Sequence, residues 1–184
     1  SGRYDHAGGL STYLTPSGVA KMMADVALSL LPQRAGHVSV LDPFCGTGRF
    51  LVAALEALEE RGNLSEDQLS GIVGADQSES AVAKAAVNLM LYGASDPRMW
   101  VVRDSMTASD LNSCEGEIDI VLTNPPFGSG KYADRDGISC ASRYMPSLNG
   151  RSAIDPALGG LALSLRLVSE DGVIGIVLPD GLLE

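Results

Sequence analysis

The sequence predicts an α/β fold, a doubly wound and mostly parallel sheet, on three observations. Short apolar runs, most of them β-branched, recur at residues 37–42, 72–76, 99–103, 118–123 and 173–178, as expected of strands buried on both faces. Segments with helical spacing of apolar residues lie between them, and this alternation is the mark of helices packed on a parallel sheet. Three of the runs close on or beside an aspartate, Asp42, Asp76 and Asp104, at the edge where open α/β sheets bind their ligands.

The elements follow in chain order. After Thr15-Pro16, the residues Val19, Met22, Met23, Val26 and Leu30 mark one face of a helix. Thr followed by Pro is also a common way to start a helix, as N-cap and first residue. The first strand, 37–42, runs into the turn "DPFCGTGRF" and a helix that begins near Arg49, with Phe50, Ala53, Ala54, Ala57 and Leu58 on its inner face. The second strand ends at Asp76, and a helix over 81–91 is closed by Gly93. The third strand leads to Asp104. The fourth stops at Asn124, in "LTNPPFGSG". A stretch at 128–155, rich in Gly, Ser, Arg and Asp, reads as a long irregular loop, which in a compact domain is usually functional or disordered. A helix over 156–168 and the strand 173–178 complete the pattern. That strand is an edge as the sequence stands, an arrangement proteins normally avoid, so the chain reads as a fragment truncated after its fifth strand.

The chain has 184 residues and is 45% hydrophobic, enough for one domain with a sizeable core. No apolar run approaches the length of a membrane-spanning helix. Cys45, Cys114 and Cys140 are odd in number and widely spaced, and His6 and His37 are far apart, so neither a disulfide framework nor a structural metal is expected. A reduced, cytoplasmic setting fits this cysteine usage. The net charge of −10 argues against a surface that is a nucleic-acid footprint throughout.

Gly46 and Gly48 permit tight turning and close approach of a ligand to the backbone. Phe50 and Leu51 stand where the third glycine of a dinucleotide fingerprint would be, which disfavours pyrophosphate. An acidic turn beginning with Asp42-Pro43 suits a ligand with a cationic end. Asp76 either accepts from the hydroxyls of a ribose or, with Ser78, caps the following helix. Asp104 either accepts from an adenine amino group or is a solvated loop acid. Asn124 offers an amide oxygen and Pro125 a carbonyl, on a loop stiffened by Pro125 and Pro126. Two acceptors held rigidly suit an exocyclic –NH2 group, whose lone pair is otherwise delocalised into its ring. Phe127 can stack on that ring, a contact of roughly 1–3 kcal/mol per base.

"LTNPPFG" together with "DPFCGTGRF" resembles the amino-group DNA methyltransferases, specifically the adenine-N6 enzymes of the type I modification-subunit and gamma-class arrangement. "GGLSTYLTP" at residues 8–16 is similar to the Gly-x-Tyr-x-Thr-Pro segment that precedes the cofactor loop in them. The resemblance implies a Rossmann-like class I methyltransferase fold, with residues 1–184 as a catalytic, cofactor-binding domain lacking the final strands and any target-recognition domain. It implies S-adenosyl-L-methionine as cofactor and no metal. Tyr13, Thr15 and Pro16 would lie near its methionine part; Asp42, Pro43, Phe44, Gly46, Thr47 and Gly48 would form its loop. Asp76, with Gln77 beside it, would hold the ribose, and Asp104 with Ser105 the adenine. Asn124, Pro125, Pro126 and Phe127 would grip the target base, with Asn124 next to the cofactor as well. The implied reaction is direct methyl transfer to adenine N6 in DNA, as in restriction–modification, after the base leaves the duplex at a cost of a few kcal/mol. Cys45 is read as a packing residue, not a nucleophile. The implied partner is DNA, met through a missing recognition domain or partner subunit; no membrane is implied, and the exposed fifth-strand edge offers a place for oligomerisation. Lys131, Arg135, Arg143 and Arg151 are the basic residues near this site, and read first as solvated loop charges. RNA base-amino and protein glutamine methyltransferases resemble the same Asn-Pro-Pro pattern. A non-catalytic cofactor-binding subunit and, more distantly, a nicotinamide dehydrogenase are the other readings.

Overall fold

The structure, a computed structural model, describes residues 15–32, 37–126 and 131–182. Five parallel strands form one sheet in the order β3-β2-β1-β4-β5, with β1 Val40–Asp42, β2 Ile72–Asp76, β3 Arg98–Val101, β4 Ile118–Thr123 and β5 Val168–Ile176. The chain winds outward from β1 to β3, then returns to the other side of β1 with β4. The carboxyl ends of β1 and β4 therefore flank the point where the winding reverses, the usual ligand crevice of such sheets.

Side chains alternate between the two faces. Val40, Ile72, Ile120 and Leu122 point into a core shared with α1 (Ser17–Leu30), α2 (Arg49–Glu60) and α4 (Glu79–Leu91). Leu41, Val73, Ala75 and Val121 point into a second core covered by α5 (Arg135–Tyr144) and α6 (Pro156–Leu167). Both faces are thus dry, which explains why the strands read as apolar runs without polar alternation. A short helix, α3 (Glu66–Ser70), precedes β2.

Several boundaries differ from the sequence expectation. β1 is shorter than expected: Val38 is paired by a side chain, as the buried Gln68 amide accepts from Val38 N at 2.8 Å and donates back to Val38 O, while Ser39 O accepts from Ile120 N at 2.9 Å. Ser39 is likewise held by Asp119, whose Oδ2 accepts from both Ser39 N (2.9 Å) and Ser39 Oγ (2.8 Å). α1 begins at Ser17 with Pro16 as N-cap, so Thr15 stands outside the helix. β5 starts earlier than expected, directly after α6, but Ile118 pairs with Val168 while Ile120 pairs with Val173, so 169–172 form a bulge. The largest difference is at 128–155. Its described part, from Lys131 onward, is ordered: α5, a 3-10 turn at Pro146–Leu148, and an antiparallel bridge between Tyr132 and Ile154. The polar sequence of α5 hides it, because only Gly137, Ile138 and Ala141 of that helix are buried.

Candidate active site

The strand ends build the site by one repeated device. Asp42, Asp76 and Asp104 each turn one carboxylate oxygen back onto the backbone two residues on: Asp42 Oδ1 accepts from Phe44 N (3.0 Å), Asp76 Oδ1 from Ser78 N (2.9 Å) and Asp104 Oδ1 from Met106 N (2.9 Å). At Asp42 and Asp76 these Asx turns stop the strand; β3 ends at Val101, before the expected residue 103, and Asp104 turns the chain three residues later, on the same side of the sheet. The capping role weighed for Asp76 and Ser78 is real, since Ser78 is the N-cap of α4 and accepts from Ala81 N.

Further bonds tie the three ends into one frame. Asp76 Oδ2 accepts from Gly46 N at 2.9 Å, which draws the glycine turn toward β2. Ser105 is buried and its hydroxyl donates to Pro43 O at 2.6 Å, so it braces the turn from the β3 side. Gly46 and Gly48 have φ of 52° and 81°, and Gly48 is packed so closely that a Cβ would lie 3.0 Å from Ala85 Cβ. A Cβ at Gly46, by contrast, would meet nothing within 4 Å among the described residues. Thr47 O accepts from Asn88 Nδ2 at 2.9 Å, which anchors the turn to α4. Gln77 is exposed beside Asp76.

Asp42 is only 1% exposed, and burial pushes its carboxyl up from 3.8 to about 7. Thr123 Oγ1 donates to its Oδ1 at 2.7 Å, and this bond and that from Phe44 N oppose the rise, while the nearby Asp76 adds to it. Thr123 immediately precedes Asn124, so the acid that ends β1 is bonded to the strand that delivers the amide. Cys45 is buried in the core, where burial pushes its thiol well up, away from nucleophilic use.

Asn124 Nδ2 donates to Thr15 Oγ1 at 3.1 Å, which joins the segment before α1 to the end of β4. Pro125 lies against α6 at Gly160, where an added Cβ would sit 2.4 Å from Pro125 Cβ and 3.3 Å from Phe44 Cε2. Pro126 follows, half-buried. The structure thus brings together Thr15, Asp42, Pro43, Phe44, Gly46, Asp76, Asp104, Ser105, Asn124 and Pro125 around the carboxyl edge of the strands. Tyr13 and Phe127 lie outside the described residues.

Sequence reasoning missed Tyr132, whose hydroxyl donates to Asp104 Oδ2 at 2.6 Å, and Thr123 and Gly160, which act through packing and hydrogen bonding across the sheet. Thr123 was legible as part of "LTNPPF", but its bond to Asp42 spans 81 residues of sequence. Among the described residues no cluster of His, Cys, Asp or Glu could hold a metal ion, and no helix is long and apolar enough to cross a membrane.

A five-stranded parallel sheet with helices on both faces, and with aspartates and a glycine turn at the carboxyl side of its strands where the winding reverses, matches the class I methyltransferase fold. The N-6 DNA Methylase family model matches residues 4–184. The chain belongs to that family. It is 52% identical over 165 residues to the type II methyltransferase M.MamI of Microbacterium ammoniaphilum, covering 86% of this chain and 46% of that protein. The crystal structure of a modification subunit of a putative type I restriction enzyme from Vibrio vulnificus YJ016 superposes with a TM-score of 0.70 at 28% identity, over 94% of this chain and 35% of that one. A shorter match, 32% identical over 117 residues, is to a U6 snRNA (guanine-N(2))-methyltransferase of Mus musculus, covering 64% of this chain and 20% of that protein. The chain spans less than half the length of each of these relatives.

Proposed function

We propose that this chain is the catalytic, cofactor-binding domain of an S-adenosylmethionine-dependent methyltransferase that modifies adenine N6 in DNA, as in restriction–modification. The observation that carries the reading is the placement of Asn124 and Pro125 at the end of β4, beside the acidic turn of β1 and across the switch point from Asp76 and Asp104.

The donor set fits the cofactor. Carboxylates on the carboxyl side of three neighbouring strands suit a ligand that offers an ammonium, two ribose hydroxyls and an adenine amino group, and among the described residues nothing crowds the side-chain position of Gly46. Asp42 would face the ammonium, Asp76 the ribose and Asp104 the adenine. Thr15, bonded to Asn124, would lie beside the methionine end. S-adenosylmethionine supplies, when bound, a methyl group on a positively charged sulfur, which leaves with the carbon–sulfur bonding pair as the new nitrogen–carbon bond forms.

The chain's own residues make the amino group able to attack. Asn124 Oδ1 and the Pro125 carbonyl accept its two hydrogens, so the nitrogen turns pyramidal and its lone pair leaves the ring system. The bond from Asn124 Nδ2 to Thr15 keeps the amide from rotating, and the diproline keeps the carbonyl fixed. One amino proton is released to solvent after transfer. No covalent enzyme intermediate is involved, in keeping with the buried, poorly ionised Cys45. Positioning of this kind contributes up to about 7–11 kcal/mol in ideal cases. Phe127 would stack on the flipped base.

Asn124→Ala tests the reading. In the full-length protein, methylation of adenine in DNA should fall by at least about 100-fold, as for loss of a transition-state hydrogen bond, and by more than cofactor affinity falls. Undiminished methylation would exclude the assignment. Methyl transfer from labelled cofactor to RNA instead of DNA would favour the RNA base-amino reading, which the shorter match to a guanine-N2 enzyme supports. The partner is DNA reached through the remainder of the protein or a second subunit, and the outer edge of β5 is where further chain or a second copy would add.

A further inference from the structure

We infer that Tyr132 is a positioning residue of the cofactor's adenine subsite, where it sets the selectivity for the 6-amino group by holding the Asp104 carboxylate in place. The inference rests on the proposed cofactor reading and adds to it a residue from the segment that follows the target-gripping loop.

Three constraints aim the Tyr132 hydroxyl. Its backbone is pinned by a reciprocal pair of bonds, Tyr132 N to Ile154 O at 2.9 Å and Ile154 N to Tyr132 O at 2.8 Å. Its ring passes over the first turn of α5 at Gly137, where a Cβ would sit 1.9 Å from the hydroxyl oxygen, so that glycine is the cradle for the phenol. Its hydroxyl then donates to Asp104 Oδ2 at 2.6 Å, a short bond to an acidic acceptor. Asp104 is therefore gripped at both oxygens, Oδ1 by Met106 N and Oδ2 by Tyr132. Each carboxylate oxygen has a second acceptor site, and fixing both oxygens directs those sites outward. A carboxylate held only through Oδ1 can pivot about that bond.

Tyr132 is half-buried, so solvent could have satisfied its hydroxyl. Burial alone does not call for the Asp104 bond. The consequence is a link between two sites: the adenine-binding acid after β3 is fixed by a residue that belongs to the ordered segment after "NPPF", packed on α5.

The test compares S-adenosylhomocysteine with its deamino analogue, which has hydrogen at C6 of the purine, by calorimetry on wild type, Tyr132→Phe and Gly137→Ala. Wild type should bind the amino form roughly tenfold more tightly, about what one net hydrogen bond to a charged acceptor gives. Tyr132→Phe removes one oxygen and leaves the ring to pack; it should weaken the amino form and spare the deamino form, bringing the ratio toward one. Gly137→Ala, which displaces the phenol without removing its hydroxyl, should do the same. Equal losses for both ligands, an unchanged ratio, or tighter binding by Tyr132→Phe would each overturn the inference while leaving the cofactor reading intact. A wild-type protein that binds neither ligand would overturn the cofactor reading and the inference with it.

Discussion

Asp42 is a buried acid whose ionisation has two consequences. Because its folded value is raised from 3.8 to about 7, the folded chain holds a proton that the unfolded chain releases. The cost to stability is therefore absent below the unfolded value, grows as pH rises through this window, and is constant above it. Thermal melting of the ligand-free protein should fall from pH 5 to pH 8, and Asp42→Asn should flatten that fall. Affinity for S-adenosylmethionine should move the other way and rise toward pH 8, as the ionised carboxylate becomes available to the ammonium; calorimetry at fixed salt across this range measures it. An affinity that falls with pH would remove Asp42 from the cofactor site. The sequence revealed Asp42 as a candidate because it opens a glycine turn after an apolar run. It could not reveal the acid's burial, which depends on Thr123 arriving from β4.

Between elements, the contact of α6 with the target loop is the most sensitive to change. Gly160 lies in the middle of α6 only because Pro125 and Phe44 press against it. Gly160→Ala would stiffen an isolated helix, since alanine is the better helix former by about 1 kcal/mol. Here the new methyl would overlap Pro125, and overpacking of this kind costs about 1–3 kcal/mol. The expected outcome is a lowered melting temperature, with methyl transfer reduced more than cofactor affinity because Pro125 carries the second acceptor. Equal reduction of both would place the strain elsewhere. The element-level reading of the sequence succeeded where burial on both faces wrote a continuous apolar run, as at β2 and β4. It failed where tertiary contacts replaced local pattern. α5 is polar and short, and it is held from outside: Tyr144 bonds to Glu115, and the buried Arg166 of α6 donates to the same carboxylate at 3.1 Å. Before β1, Val38 is held by the side chain of Gln68 from α3, and Ser39 by the side chain of Asp119 from the neighbouring β4, so local pattern there does not show what pairs the chain.

For the whole molecule, charge and extent set the terms. A net charge of −10 gives duplex DNA little to hold, since affinity for phosphate grows with the cations that displace counterions. Lys131, Arg135 and Arg151 are exposed, and Arg143, also exposed, faces Glu115 at 4.0 Å. The chain alone should bind S-adenosylmethionine yet show weak DNA binding that vanishes between 50 and 200 mM salt, a range over which phosphate contacts lose most of their affinity. Fluorescence anisotropy across this range registers the loss, and tight, salt-resistant DNA binding would show that these residues carry DNA recognition themselves.

The bulge in β5 bears on how firmly the end of β4 is held. Val173 to Ile176 run in unbroken register with Ile120 to Thr123, while the residues before them detour away from the ladder. The irregularity is thus confined to the far end of the two strands, and the last rungs before Asn124 are continuous, a clamp that stays closed where the amide leaves the sheet.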